Sequence, residues 1–180
     1  MKKLLLLALL ISTLKLSAQT EKGKIFLSGA TNASLLLSIV PNSNIQNNFN
    51  INIAPSIGYF IAKDFTMGLS FSFSYLEGSS SLYKYKSTTY QIAPFARYYF
   101  AKSNTITRLY AQANAGIVDI DSQYGTGLTG QLGIAIFSNQ HVSLDIAALY
   151  SVTYNKTNLN STLGINFGIS VYLGNTKDKK

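Results

Sequence analysis

From residue 24 to residue 173 the chain alternates apolar and polar positions with a period of two, the pattern of strands with two unlike faces. The clearest stretch runs from Phe49 to Tyr59. Phe49, Ile51, Ile53, Pro55, Ile57 and Tyr59 make one face; Asn50, Asn52, Ala54, Ser56 and Gly58 make the other. Met67, Leu69, Phe71, Phe73 and Tyr75 alternate in the same way with Gly68, Ser70, Ser72 and Ser74. Leu163, Ile165, Phe167, Ile169 and Val171 alternate with Gly164, Asn166, Gly168 and Ser170. No segment carries a 3.6-residue apolar stripe, so an all-β chain is expected.

Eight such runs can be marked, at 24–34, 49–61, 66–75, 89–100, 106–117, 128–137, 142–151 and 162–173. Pro55 and Pro94 fall inside two of them. Each removes a ladder donor, which predicts a bulge or local irregularity. The connections alternate in length. Segments 35–48, 76–88, 118–127 and 152–161 are long and rich in Asn, Ser, Gly and Thr, whereas 62–65, 101–105 and 138–141 are short. Such alternation predicts an eight-stranded antiparallel up-and-down transmembrane β-barrel, with short periplasmic turns and four longer extracellular loops. An even strand number puts both ends of the chain on the short-turn side.

A soluble periplasmic lipocalin-like binding barrel also has eight alternating strands. The second face separates the two. Against water it would carry many Lys and Glu; here it is Gly, Ser, Ala, Asn, Thr and Gln. Small uncharged residues suit a narrow interior, and the large apolar ones suit lipid. Aromatic residues fall at both strand ends. Tyr59, Phe60, Phe65, Tyr98, Phe100 and Phe137 lie near short turns, and Phe49, Tyr75, Tyr90 and Tyr150 near loops. Two aromatic girdles are therefore expected.

The first eighteen residues have a different character. Lys2 and Lys3 precede the apolar run Leu4–Ile11, and Ser17-Ala18 offers a small-residue cleavage site. Residues 1–18 are expected to be an export signal, 19–173 the barrel and 174–180 a periplasmic tail. A spanning helix needs roughly 20 apolar residues, and the chain has no such run. The net charge is +8, but Lys2, Lys3 and Lys15 would leave with the signal. The remaining basic residues form no stripe, so nucleic acid is not an expected partner. With no cysteine, disulfides, thiolate metal sites and N-terminal lipidation are excluded.

Charges inside the expected strands are few. Arg97, Arg108 and Asp145 share the small-polar parity and a similar depth. Isolated interior charges are costly, so a lumenal cluster is predicted in which Asp145 bridges Arg97, Arg108 or both. Other chemistry is thin. His141, the single histidine, falls in a short turn, which offers neither a catalytic triad nor a metal set; no catalytic residue, metal or cofactor is expected. Gly125 to Gly130 fits G-x-G-x-x-G but precedes a strand, not a helix, and is set aside. Two loop features remain as surface contacts. Tyr83-Lys84-Tyr85-Lys86 sets cations and aromatics on alternate faces; it reads first as a plain strand extension above the membrane, and alternatively as a contact for lipid A phosphates or a glycan. Asp119 and Asp121 flank a loop entrance and could touch a divalent ion.

The segment Asn166-Phe167-Gly168-Ile169-Ser170-Val171-Tyr172-Leu173 resembles the C-terminal β-signal read by the outer-membrane assembly machinery. Pro55-Ser56-Ile57-Gly58-Tyr59-Phe60-Ile61 through Gly68, and Pro94-Phe95-Ala96-Arg97-Tyr98-Tyr99-Phe100, resemble strand-turn-strand units of the small outer-membrane β-barrel proteins, the OmpA/OmpX-like group. That resemblance implies the fold and the outer membrane of a Gram-negative-type bacterium, with lipid and lipopolysaccharide as surroundings. The expected role is non-enzymatic: a monomer, structural or interacting with surfaces through its loops. A narrow small-solute channel is the alternative from another class.

Overall fold

The computed structural model describes residues 20–38, 46–79, 84–100, 105–155 and 159–174. The expected signal and all of the tail beyond Gly174 lie outside them. Eight antiparallel strands follow one another around a closed barrel. They are β1 (Ile25–Ser38), β2 (Gln46–Ala62), β3 (Phe65–Ser79), β4 (Lys84–Tyr99), β5 (Thr107–Ile120), β6 (Gln123–Phe137), β7 (Val142–Asn155) and β8 (Leu159–Leu173). Ile25 pairs with Leu173, so the first and last strands meet and both chain ends share one end of the barrel.

Every predicted run is a strand, but the strands reach farther toward the loop end than the alternation of apolar residues does. Roughly 9–11 tilted residues cross a bilayer, and β2 has 17. The extra residues are paired backbone carrying polar side chains. Periodicity fades there because no apolar face is needed, while the ladder continues. The segment 118–127 shows the result. It was expected as a long loop but is a hairpin, turned on Asp121 and Ser122 with φ of 49° and 69°. Two left-handed residues make the tight turn whose twist matches the flanking strands. Lys84 and Lys86 belong to β4, in line with the strand extension expected there. The glycines of 125–130 lie within β6, away from any helix.

The prolines leave gaps, not bulges. On the β2–β3 ladder no pair is formed at Ala54 and Pro55, and the register resumes unshifted at Ser56↔Ser70. On the β4–β5 ladder the gap falls at Ala93 and Pro94, again without a shift. Each proline keeps its other ladder, because it lacks only one donor. Across the second gap, β5 comes so close that a Cβ on Gly116 would lie 2.1 Å from the Ile92 carbonyl oxygen. Glycine is needed at that approach. The β2–β3 register does shift once, between Phe60 and Ala62 beside the turn.

Outward positions are apolar around the whole circumference: Ile57, Leu69, Ile92, Leu109, Leu132, Ile146 and Phe167 are all exposed. A water-facing surface of this kind would be one continuous sticky patch. Hydrocarbon is the medium it fits, and the soluble-barrel alternative fails here. Tyr59, Tyr98 and Phe100 lie exposed near the terminal end, and Tyr90 and Tyr150 toward the loops. Two expected girdle members do something else. Phe60 and Phe137 point inward and are buried. Phe60 follows the parity of Gly58, and Phe137 that of Ala135.

Candidate functional site

The barrel interior has two halves. The half nearest the chain ends is solid. Phe26, Phe60, Phe95, Tyr99, Tyr110, Phe137 and Tyr172 form one buried cluster with Ala135 and Ala147. Their rings touch edge-on or tilted, with Phe26 and Tyr172 centroids 5.7 Å apart and Phe137 and Tyr172 5.1 Å apart. The small residues are part of the fit. A Cβ on Gly133 would lie 2.5 Å from the Tyr110 ring and 2.8 Å from Ala147 Cβ.

Arg97 and Asp145 are set into this layer. Arg97 Nη1 donates to Asp145 Oδ2 at 2.8 Å across the lumen, from β4 to β7. Ser143 and Ser170 also donate to the carboxylate, at 2.7 and 2.8 Å. On the other side Arg97 Nε donates to Gln112 at 2.6 Å. Gln112 donates to Asn114, Asn114 to Ser70, and Ser70 to the Ala93 carbonyl. The guanidinium is sandwiched between rings, 4.1 Å from the Tyr110 centroid and 4.6 Å from that of Phe26. The buried charges are thus paired and bonded on several sides, as a low dielectric demands.

Arg108 is not in this pair. Of the alternatives expected for Asp145, the structure shows the pair with Arg97, whereas Arg108 Nη2 lies 2.9 Å from Asp64 Oδ1, in the β2–β3 turn. Thr20, ahead of β1, bonds both Arg108 and Asp64 through its hydroxyl. The Asp64 amide donates to the Thr20 carbonyl at 2.9 Å. A segment before the first strand therefore folds under the barrel and latches to a turn. Asp64 was missed because it lies in a turn, where a carboxylate is ordinarily solvated. The structure gives it a left-handed φ of 64°, a conformation that Asp tolerates in a tight turn.

Lys24 was missed too. It is buried, and its Nζ has no hydrogen-bond partner among the described residues. Burial pushes its ammonium below the ordinary lysine value, and Glu21 pulls it back only in part. His141 sits in the β6–β7 turn with Nδ1 2.9 Å from the Tyr172 carbonyl oxygen.

Above the floor the lumen opens into a cup of about 320 Å³. Its wall is largely hydroxyl and amide, with Ser28, Asn52, Gln91, Thr129 and Gln131 beside the apolar Val118 and Leu149. Among the described residues Arg97 is the single charged one lining it. The expected loop contacts lie outside this cup. Lys86 pairs with Glu77 at 3.5 Å on the outer surface. Asp121 accepts from the Ser87 hydroxyl and the Thr88 amide, both at 2.8 Å. Asp119 lies on β5 between Tyr90 and Tyr124. Among the described residues no group of three His, Cys, Asp or Glu could hold a metal. Tyr83 and the Tyr85 side chain lie outside the described residues.

No protein family profile matches the chain, and no curated relative does. Solved structures do match. The outer membrane protein OprG from Pseudomonas aeruginosa superposes with a TM-score of 0.57 at 14% identity, over 87% of this chain and 99% of that one. Neisserial surface protein A gives 0.52 at 21% identity, over 83% and 97%. The N-terminal β-barrel domain of Pseudomonas aeruginosa OprF gives 0.50 at 15%, over 84% and 98%. The outer membrane enzyme PagL also aligns, at 9% identity and a TM-score of 0.47. The expectation of a non-enzymatic protein is withdrawn, because the fold decides nothing about catalysis. What the fold does decide is that this chain is a small eight-stranded β-barrel of the bacterial outer-membrane type.

Proposed function

We propose that the protein is an outer-membrane platform. In this reading the terminal end faces the periplasm, and the extended strands carry the contact surface outward. The closed floor supports it most. Seven aromatic rings and the Arg97–Asp145 pair fill the lumen from wall to wall, so the interior serves rigidity rather than passage. The same floor speaks against the narrow small-solute channel. Lys84, Lys86 and Glu77 on the projecting strands offer the charged groups for lipopolysaccharide phosphates, bridging ions or another surface. We take residues 166–173, in the last strand beside β1, as the segment read by the assembly machinery. The test is conductance of the purified barrel in planar bilayers, paired with binding to lipopolysaccharide-coated surfaces. Silent bilayers with salt-dependent binding are expected. Steady openings would overturn the platform reading.

A further inference from the structure

The outer wall changes character along one row of β4, β5 and β6. Asp119 of β5 is paired with Tyr90 of β4 on one side and with Tyr124 of β6 on the other. Residues directly opposite on neighbouring strands share a face, with Cβ atoms about 5 Å apart. Tyr90 and Tyr124 are both exposed on the outer surface, so Asp119 stands outside the barrel with a tyrosine on each flank. The Tyr90 ring packs against Phe73, with centroids 5.3 Å apart. Two residues down the same face the pair is Ile92 and Ile117, both exposed toward lipid. Two residues up is Asp121, whose carboxylate already accepts from Ser87 and Thr88. Asp119 thus marks the boundary between the apolar wall and the polar strand extensions.

The chain itself provides nothing for this carboxylate. Asp119 Oδ1 is buried and has no hydrogen-bond partner among the described residues. None of the ion pairs found there includes Asp119. A carboxylate oxygen shielded from water without a donor is costly, and a cation with N–H groups removes that cost. A metal ion suits the place poorly. Calcium takes about 6–8 oxygen ligands. Asp121 is already engaged, and no group of three His, Cys, Asp or Glu stands ready among the described residues. Two tyrosines beside a carboxylate suit an organic cation better, because ring faces attract its charge while the carboxylate accepts its N–H.

We propose that Tyr90, Asp119 and Tyr124 bind the primary ammonium of a membrane-lipid headgroup, while the acyl chain of that lipid lies over Ile92 and Ile117. The ammonium donates to Asp119 Oδ1 between the two tyrosines. A quaternary ammonium carries the same charge but no N–H, so it leaves the buried oxygen unsatisfied and binds more weakly. A soluble amine has no chain and forgoes the contact with the isoleucines. The position at the boundary is what selects a lipid: its head and its chain meet their matching surfaces two residues apart. The site uses none of the groups on which the platform reading rests.

The test is a lipid titration of the barrel in maltoside micelles, whose uncharged heads carry no ammonium. Phosphatidylethanolamine is added and backbone amide shifts are followed by NMR; phosphatidylcholine with the same acyl chains is the comparison. Saturable shifts at Tyr90, Asp119 and Tyr124 are expected with phosphatidylethanolamine. Phosphatidylcholine should bind about tenfold more weakly, the worth of one hydrogen bond to a charged group. Asp119→Asn keeps the shape and removes the charge, and should weaken phosphatidylethanolamine by a similar factor. Tyr124→Leu should weaken it about two- to fivefold, the worth of an exposed contact between a cation and a ring. Both substitutions lie on the outer wall, and a retained heat-dependent gel shift shows that each variant is folded. Equal binding of the two lipids, undiminished binding by Asp119→Asn, or shifts that do not saturate would each overturn the site. Saturable shifts of the same amides by calcium chloride alone would assign it to a metal and overturn it as well. None of these outcomes bears on the platform reading, which conductance tests separately.

Discussion

Arg97 and Asp145 lie 48 residues apart in sequence and three strands apart around the barrel, yet their side chains meet at 2.8 Å over the lumen, both almost fully buried. They tie opposite walls together through the middle of an aromatic layer. Removing one partner leaves a buried charge alone. Asp145→Ala is expected to cost about 3–5 kcal/mol in urea unfolding of the membrane-inserted barrel. Replacing both, as Arg97→Met/Asp145→Leu, should recover much of the loss. A double variant no more stable than Asp145→Ala would mean that the pair matters through something other than compensated charge.

The latch under the barrel is a second ion pair with a different exposure. Asp64→Ala frees Arg108 from its carboxylate and Thr20 from its partner. Protection of residues 20–24 in hydrogen exchange should fall, while the strands stay protected. Unchanged protection would show that the segment is held by its backbone bonds alone.

Lys24 makes a prediction about pH. Its ammonium titrates lower in the folded protein than in the unfolded chain, chiefly through burial. The unfolded state then binds more protons between the lowered value and the ordinary lysine value of 10.5, so stability rises with pH across that window. Below it the full penalty applies. Lys24→Met should flatten this dependence and stabilise the barrel at neutral pH by about 1–3 kcal/mol, the usual penalty of an unsatisfied buried polar group. A slope that survives the substitution would assign it to another group.

Gly133 tests the packing of the floor. Gly133→Ala puts a methyl into the Tyr110 ring and Ala147, and overpacking of this kind costs about 1–3 kcal/mol. The same change at Gly130, where a Cβ meets nothing within 4 Å, should be nearly silent. Equal effects at the two sites would contradict the solid floor.

The two faces of the β6–β7 wall should respond unequally to charge. Leu132→Arg, on the lipid side, is expected to cost about 2–4 kcal/mol when the barrel sits in a bilayer. Ser151→Arg, at the open cup, should cost far less. A reversed order would turn the barrel inside out.

The alternation of single residues was enough to give eight strands, their order and which face meets lipid, because a period of two is a local property and hydrocarbon tolerates little else. Parity also put Arg97, Arg108 and Asp145 inside. It could not say which of them meet. Arg108 and Asp145 both flank Ala135 through the ladder, yet the carboxylate turns to Arg97 on the far wall. That choice depends on strand tilt and on the depth of Asp64 and Thr20, which no local pattern encodes. Polar strand extensions look like loops in sequence for a similar reason: their ladders need no apolar face. The meeting of Ile25 with Leu173 belongs to the closure of the barrel itself, and only the tertiary structure brings the first and last strands side by side.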